Sequence, residues 1–358
     1  MGTRSTITAR MSDGTYASIY CHWDGMNDRI QLEVNRVHVG DCRELLKSVN
    51  SESVHLVLSD IPYGISADEW DVLHSNTNSA LLGSSPAQKK AGAVFKSRGK
   101  PINGWSEADR KIPKEYQEWC SKWAEDWFRV LKPGGSAIVF AGRRFSHRAV
   151  CALEDVGFSL KDVLAWIRPN AAHRAQRLSV VYDKRGDQEN AEAWSGWRVG
   201  NLRPLFEPVL WFTKPYPIGT TIADNALNHG VGGYNEDAFL KYESSPDNIL
   251  RSGFVKNEGG LHPTQKPVRL MQELIELTTQ PGQLVLDPFC GSGSTLVAAR
   301  NTGRQFMGME MSEEYARIAE QRLVGEIFSQ EQFLEQRPND TKEDESQLRI
   351  VLTTESNT

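Results

Sequence analysis

Two short stretches of the chain hold residue types that can do chemistry. Residues 59–64 read SDIPYG: a carboxylate at Asp60, Ile61, a turn fixed by Pro62, whose ring locks its own φ, and a phenol at Tyr63. Residues 284–293 read LVLDPFCGSG, in which Asp287 precedes Phe289 and a turn made of Gly291, Ser292 and Gly293. Glycines at such a turn permit close approach of the backbone to a ligand, which a side chain would block. A dinucleotide site calls for a third glycine at position 296, over the pyrophosphate, and Leu296 stands there instead. Twenty-three residues after Asp287, the run QFMGME ends on Glu310, placed to accept hydrogen bonds from ribose hydroxyls. These facts point to an adenosine-bearing cofactor without a pyrophosphate, of which S-adenosylmethionine is the common one. A lone D-x-P-Y is more often a turn than a site, and its pairing with a cofactor loop reverses that reading.

The elements that must position these residues follow from periodicity. SVHLVLSD reads as a buried strand ending at Asp60, and QLVLD as a buried strand ending at Asp287, so both carboxylates are expected at the same carboxyl edge of one sheet. EVNRVHVGD, SAIVFA, LKDVLAWI, PVLWFT and QFMGME are further strands; CRELLKSV, EYQEWCSKWAEDWFRVL, HRAVCALEDVG, KPVRLMQELIELTT, STLVAARNTG and EEYARIAEQRL are helices. KPGG is expected to stop the helix before SAIVFA. Trp119, Trp123 and Trp127 recur every four residues and predict a core-facing aromatic stripe. Repeated alternation of strand and helix predicts an α/β fold, a doubly wound and mostly parallel sheet. TRSTITAR and YASIYCHWDG suggest a short strand pair ahead of it, joined by the turn SDGT, and residues 74–106, without periodicity, either a mobile loop over the site or a disordered insertion.

Composition narrows the class. With 39% hydrophobic and 24% charged residues the chain reads as globular, no stretch approaches the roughly 18 apolar residues of a membrane span, and the N-terminus lacks a signal-peptide core. A cytoplasmic protein with no membrane partner is expected. Five scattered cysteines form no C-x-x-C pair, so reduced thiols and no metal are expected. The net charge of -5 conceals an uneven distribution: residues 311–358 carry -6, whereas 142–215 carry +4. The central segment is where a polyanion is welcome, and the acidic tail from 329 is expected to be loosely held.

The two motifs resemble those of the amino-methylating DNA methyltransferases, which carry D/N/S-P-P-Y and F-x-G-x-G. The D-I-P-Y comes first and DPFCGSG about 225 residues later, with LHPTQKPVRLMQELIELTTQPG just before the cofactor strand. That order resembles the circularly permuted beta group and covers roughly residues 33–325, including HVGDCRELL and FEPVLWFTK. The first 30 residues resemble the start of small phage proteins, implying a phage or prophage source in a bacterial cell.

The resemblance implies a Rossmann-like S-adenosylmethionine-dependent fold, circularly permuted, and a role for each matching residue. Asp60 and the main-chain carbonyl of Ile61 accept the hydrogens of an exocyclic amine, drawing the nitrogen toward tetrahedral geometry, while Tyr63 stacks on a base swung out of double-stranded DNA. Asp at the first position implies adenine, because the cytosine-amine enzymes carry Ser there; Ile61 departs from D-P-P-Y at a position whose carbonyl carries the role. Asp41 falls at the adenosine end and Glu310 at the ribose. Phe289, Gly291, Ser292 and Gly293 line the sulfonium and methionine portion, Asp287 lies near its amino group, and Thr264 and Lys266 hold its carboxylate.

The resulting division is an extension over 1–32, a catalytic half over 33–167, a target-recognition region over 168–260 with a returning strand near 207–213, and a cofactor half over 261–328. Within that region Arg168, Arg174, Arg177, Arg185, Arg198 and Arg203 are candidates for phosphate or guanine contacts, and Trp194 and Trp197 are expected in the core, with stacking or wedging beside an extruded base as the alternative. The expected activity is transfer of methyl to the 6-amino group of adenine in DNA, by a monomer or homodimer. A cytosine 4-amino enzyme and a DNA-binding regulator without turnover are the alternatives.

Overall fold

Alternate residues of a strand face opposite sides of a sheet, and here both sides are apolar. Val57, Val139, Leu210 and Leu286 point into one core, Leu56, Leu58, Ile138, Val209 and Val285 into another. Such strands need a helical layer on each face. A computed structural model describes residues 3–10, 16–23, 32–64, 107–169, 171, 175–262 and 264–325. The loop at 74–106, the acidic tail and Arg174 lie outside the described residues.

In chain order the first half comprises β1 (Thr3–Arg10), β2 (Tyr16–Trp23), β3 (Arg36–Val39), α1 (Cys42–Leu45), β4 (Val54–Asp60), α2 (Glu107–Val130), β5 (Leu131–Phe140), α3 (Ser146–Asp155) and β6 (Ser159–Ile167). Next come β7 (Gln176–Arg177), α4 (Leu178–Asp183), α5 (Gln188–Ala193), β8 (Arg198–Val199), β9 (Phe206–Thr213), α6 (Ile222–His229), α7 (Glu236–Phe239) and β10 (Ile249–Leu250). The chain then runs through α8 (Val268–Thr278), β11 (Leu284–Asp287), α9 (Ser294–Asn301), β12 (Gln305–Glu310) and α10 (Glu313–Val324).

β1 and β2 form an antiparallel pair of their own. Eight strands build the main sheet in the order β10-β6-β9-β5-β4-β11-β12-β3. β9 runs antiparallel to both its neighbours, and the others run one way. β11 and β12, last in sequence, lie between β4 and β3, so the late cofactor motif and the early D-I-P-Y meet at the centre of the sheet. One face is covered by α1, α2 and α3, the other by α8, α9 and α10.

α2 begins eight residues before the expected start and continues through Pro113. An interior proline costs about 3 kcal/mol. Trp123 and Trp127 are fully buried, and at 150–250 Å² each and ~25 cal/mol per Å² their burial favours the helix by roughly 4–6 kcal/mol apiece. The tryptophans outweigh the proline. KPGG does not separate helix from strand as expected: it lies inside β5, where the pairing with β4 shifts between Val54 and Leu56, so the glycines form a bulge.

The segment between Arg168 and Phe206 holds two short helices and the β7–β8 pair. Trp194 and Trp197 pack edge to face with each other at 5.5 Å, but Trp197 is 62% exposed, which corrects their expected place in the core. Too little chain covers them to exclude water. Asn225 donates to the Pro133 carbonyl at 3.0 Å and Gln283 to the Gly230 carbonyl at 2.7 Å, which fastens α6 to the amino ends of β5 and β11.

Candidate active site

In a parallel sheet the strand ends converge on one edge, and ligands bind there. Asp60 ends β4 opposite Phe140, Asp287 ends β11 opposite Gly308, and Glu310 ends β12 opposite Val39. A cleft of about 470 Å³ opens at this edge. It is lined by Asp41, Asp60, Ile61, Pro62, Tyr63, Thr264, Lys266, Asp287, Phe289, Gly291, Ser292 and Glu310. Gly293 is not in the lining. At φ +80 it turns the chain into α9, and a Cβ there would lie 2.8 Å from that of Ala319, so its role is close packing against α10.

At one end of the cleft a buried charge network surrounds Asp60. Lys266, 4% exposed, places Nζ 2.6 Å from Asp60 Oδ2, 3.1 Å from Glu207 Oε1 and 3.0 Å from the Tyr63 hydroxyl. The Tyr63 hydroxyl in turn donates to Glu207 Oε1. Among the described residues, Asp60 Oδ1 is buried without a hydrogen-bond partner. Burial pushes the Asp60 carboxyl up to about 6, against the pull of the Lys266 ammonium. For Glu207 burial acts in the same sense but Lys266 and the Tyr63 hydrogen bond outweigh it, leaving it below the ordinary range. Burial also keeps the Tyr63 hydroxyl protonated, well above its usual range.

The turn itself is held from behind. The Tyr116 hydroxyl donates to the Pro62 carbonyl at 2.7 Å, and Gly142 leaves room for Tyr63, since a Cβ there would come within 2.9 Å of the Tyr63 Cβ. The Ile61 side chain is buried in the core beneath the sheet, which accounts for a branched aliphatic residue at that position.

At the other end, the backbone N–H groups of Gly291 and Ser312 each donate to one oxygen of Glu310 at 2.9 Å. Each oxygen keeps a lone pair for a further donor. Asp287 Oδ1 accepts from the Ser59 hydroxyl at 2.6 Å and the Phe289 N–H at 3.1 Å, and burial pushes its carboxyl up to about 6. Phe289 meets Trp119 and Trp123 at 5.8 Å, so the tryptophan stripe is both core and an aromatic wall of the cleft. Asp41 caps α1, accepting from Arg43 N at 2.9 Å; the Arg43 guanidinium holds its carboxyl below the usual range.

The resemblance implies a methionine carboxylate as the partner of both Lys266 and Thr264. Lys266 instead lies among Asp60, Glu207 and Tyr63. Thr264 donates its N–H to His262 Nδ1 at 3.2 Å. That bond puts the histidine proton on Nε2, and burial lowers the ring to about 4, so it stays neutral. Glu207, His262, Gly142 and Arg322, which donates to the Ser292 carbonyl at 2.6 Å, all escaped the sequence reading. The H-P-T-Q-K-P block was the signal available for His262; Glu207 stood within FEPVLWFTK as an unremarked strand-start acid.

Residues 54–321 match the DNA methylase family. The Type II methyltransferase M.HindIII of Haemophilus influenzae is 53% identical over 283 residues, covering 78% of this chain and 91% of its own. M.BglII of Bacillus subtilis, another Type II methyltransferase, is 25% identical over 350 residues, 88% of this chain and 79% of the relative. Two solved structures share the fold at 20% identity: the PvuII cytosine-N4-specific DNA methyltransferase, at a TM-score of 0.54 over 84% of this chain and 89% of that one, and a DNA modification methylase of Thermus thermophilus complexed with S-adenosylmethionine, at 0.50 over 81% and 93%. The match over residues 54–321, which contains both strand-end motifs, and the relative at 53% identity establish that the chain belongs to the DNA methylase family.

Proposed function

We propose that the enzyme methylates the 6-amino group of adenine within a specific sequence of double-stranded DNA, using S-adenosylmethionine. The observation that carries this reading is the orphaned Oδ1 of Asp60, a buried anionic acceptor at the cleft edge whose other oxygen is already held by Lys266. Burying such an oxygen without a donor is unfavourable, and an exocyclic amine is the donor that chemistry asks for.

The other end of the cleft fits the cofactor. Glu310 has lone pairs for ribose hydroxyls, the Gly291 turn lets the backbone come close, and Phe289 with Trp119 gives an aromatic wall. Asp287 would face the amino group of the methionine portion, and Asp41 and Ser292 would complete the enclosure. S-adenosylmethionine, when bound, supplies an electrophilic methyl group.

The exocyclic amine of adenine is a weak nucleophile because its lone pair is delocalised into the ring. Asp60 Oδ1 accepts one N–H and the Ile61 carbonyl the other, which frees that lone pair. As the new C–N bond forms, the methyl–sulfur bond of the sulfonium would break with its electron pair left on sulfur as a thioether; the nitrogen would gain positive charge, which the anionic Asp60 stabilises, and its surplus proton would pass to solvent. Tyr63 offers its ring face to a flipped base while its hydroxyl stays tied to Glu207 and Lys266.

Ser59 does not support a cytosine reading, because its hydroxyl is committed to Asp287. In the segment between 168 and 205, Arg198 donates to the Ala175 carbonyl, Arg203 to that of Pro169, and Arg168 pairs with Glu207. Arg177 and Arg185 are exposed, as is Trp197, and these three are assigned to the DNA surface. Among the described residues no helix is long and apolar enough to cross a membrane. Methylation-sensitive long-read sequencing of DNA from cells expressing the protein tests the proposal: 6-methyladenine in one sequence context is expected, and 4-methylcytosine would overturn the assignment of the base.

A further inference from the structure

Glu207 is the second residue of β9, the one antiparallel strand in the centre of the sheet, whose first residues lie where the parallel strands end. It is 6% exposed and touches the two groups that frame Asp60. Lys266 Nζ has three protons, and Asp60 Oδ2 at 2.6 Å, Tyr63 Oη at 3.0 Å and Glu207 Oε1 at 3.1 Å are the acceptors nearest to it. The Tyr63 hydroxyl accepts from Lys266 and donates to Glu207, so both its functions are used. We propose that Glu207 is a positioning residue for methyl transfer: it shares Lys266 with Asp60, which leaves Asp60 with uncompensated negative charge, and it pins the Tyr63 ring by its hydroxyl. The inference rests on Asp60 being the acceptor for the amine.

The physical reason is charge balance. A single ammonium paired with Asp60 alone would neutralise it and weaken it as an acceptor. Shared between two carboxylates, the ammonium leaves the cluster net negative, which favours the cationic nitrogen that forms as the methyl arrives. The charged and titratable groups facing Asp60 are Lys266, Glu207, Tyr63 and Asp287, with His262 beyond Lys266 and Arg168 beyond Glu207. Glu207 raises the Asp60 carboxyl, and Arg168, 3.3 Å from Glu207 and half exposed, opposes it from the far side. Removing Glu207 or Arg168 should therefore move Asp60 in opposite directions. A merely structural pair would not do that.

The test is the pH profile of methyl transfer to mixed-sequence genomic DNA, with cofactor binding measured by calorimetry on the same preparations. Glu207→Gln keeps the size and the acceptor but loses the charge. It should shift the acid limb of kcat down by about one pH unit and lower kcat by about tenfold, since one unit is a factor of ten in proton affinity. The affinity for S-adenosylmethionine should stay within about twofold. Arg168→Gln should move the acid limb up, and Glu207→Asp should restore part of both effects. An unmoved limb in both Glu207→Gln and Arg168→Gln, or limbs moving the same way, overturns the inference. If Glu207→Gln does not fold, as an absent calorimetric signal would reveal, the direction of the Arg168→Gln limb decides alone. A wild-type enzyme that methylates adenine beside an indistinguishable Glu207→Gln defeats only this inference; a wild type that leaves adenine unmodified defeats the proposed function instead.

Discussion

Asp60 and Asp287 end neighbouring parallel strands at the middle of one sheet; Asp287 is buried and Asp60 largely so, its side chain 14% exposed, and burial pushes both carboxyls up to about 6. Their partners differ in kind. Asp287 is met by neutral donors, the Ser59 hydroxyl and the Phe289 N–H, which draw it into the turn that carries the glycines. Asp60 is met by the Lys266 ammonium on one oxygen and, among the described residues, has no donor on the other. A strand end delivers a carboxylate to the edge of a sheet; what stands beside it decides whether that carboxylate organises a loop or waits for a substrate. Ser59 links the two, because it precedes Asp60 in sequence yet points its hydroxyl at Asp287.

The contrast can be broken at three points. The largest effect is expected from Asp60→Ala, which removes the proposed acceptor for the amine: methyl transfer, followed as tritium incorporated into DNA, should fall by at least about a thousandfold. Cofactor affinity by calorimetry should change by no more than about twofold, so a large loss of binding would show that the two aspartates do not divide the work. Asp287→Ala should show the reverse pattern. Loss of a hydrogen-bonded charge of this kind is worth about 1.5–3 kcal/mol, and the cofactor dissociation constant should rise about ten- to a hundredfold. Turnover at saturating cofactor should be less affected; an equal fall in kcat would mean that Asp287 also serves the base. Ser59→Ala removes only the neutral donor, about 0.5–1.5 kcal/mol, and should weaken cofactor binding by roughly three- to tenfold. If that variant instead changed the base that is methylated, Ser59 would belong to the clamp and the comparison would fail.

Much of this site is legible in the sequence. Two apolar runs, each closed by an acid and a Gly- or Pro-containing turn, place Asp60 and Asp287 at strand ends, and Glu310 follows from the next run. Glu207 was not legible, because it lies near the start of a strand that looks like any other run of alternating and apolar residues. Only the antiparallel insertion of β9 between β5 and β6 carries the beginning of that strand to the edge where its neighbours finish. Lys266 shows the same gap: its presence near the cofactor motif was readable, but its pairing with Asp60 joins residues 206 positions apart. Trp119 and Trp123 were read as core and proved to be core and cleft wall together, whereas Trp194 and Trp197, given the same reading, lie at the surface.

By itself the sequence determined the layered α/β architecture, since strand and helix periods are local and both-face burial demands helices on each side. It also determined the chemistry on offer at the strand ends, since motif residues a few positions apart move together. The tertiary structure alone decided the protonation and the division of labour among the buried acids. Those depend on which charge lies within about 3 Å of which oxygen in a site shielded from water, where a single ammonium outweighs any local preference of the chain.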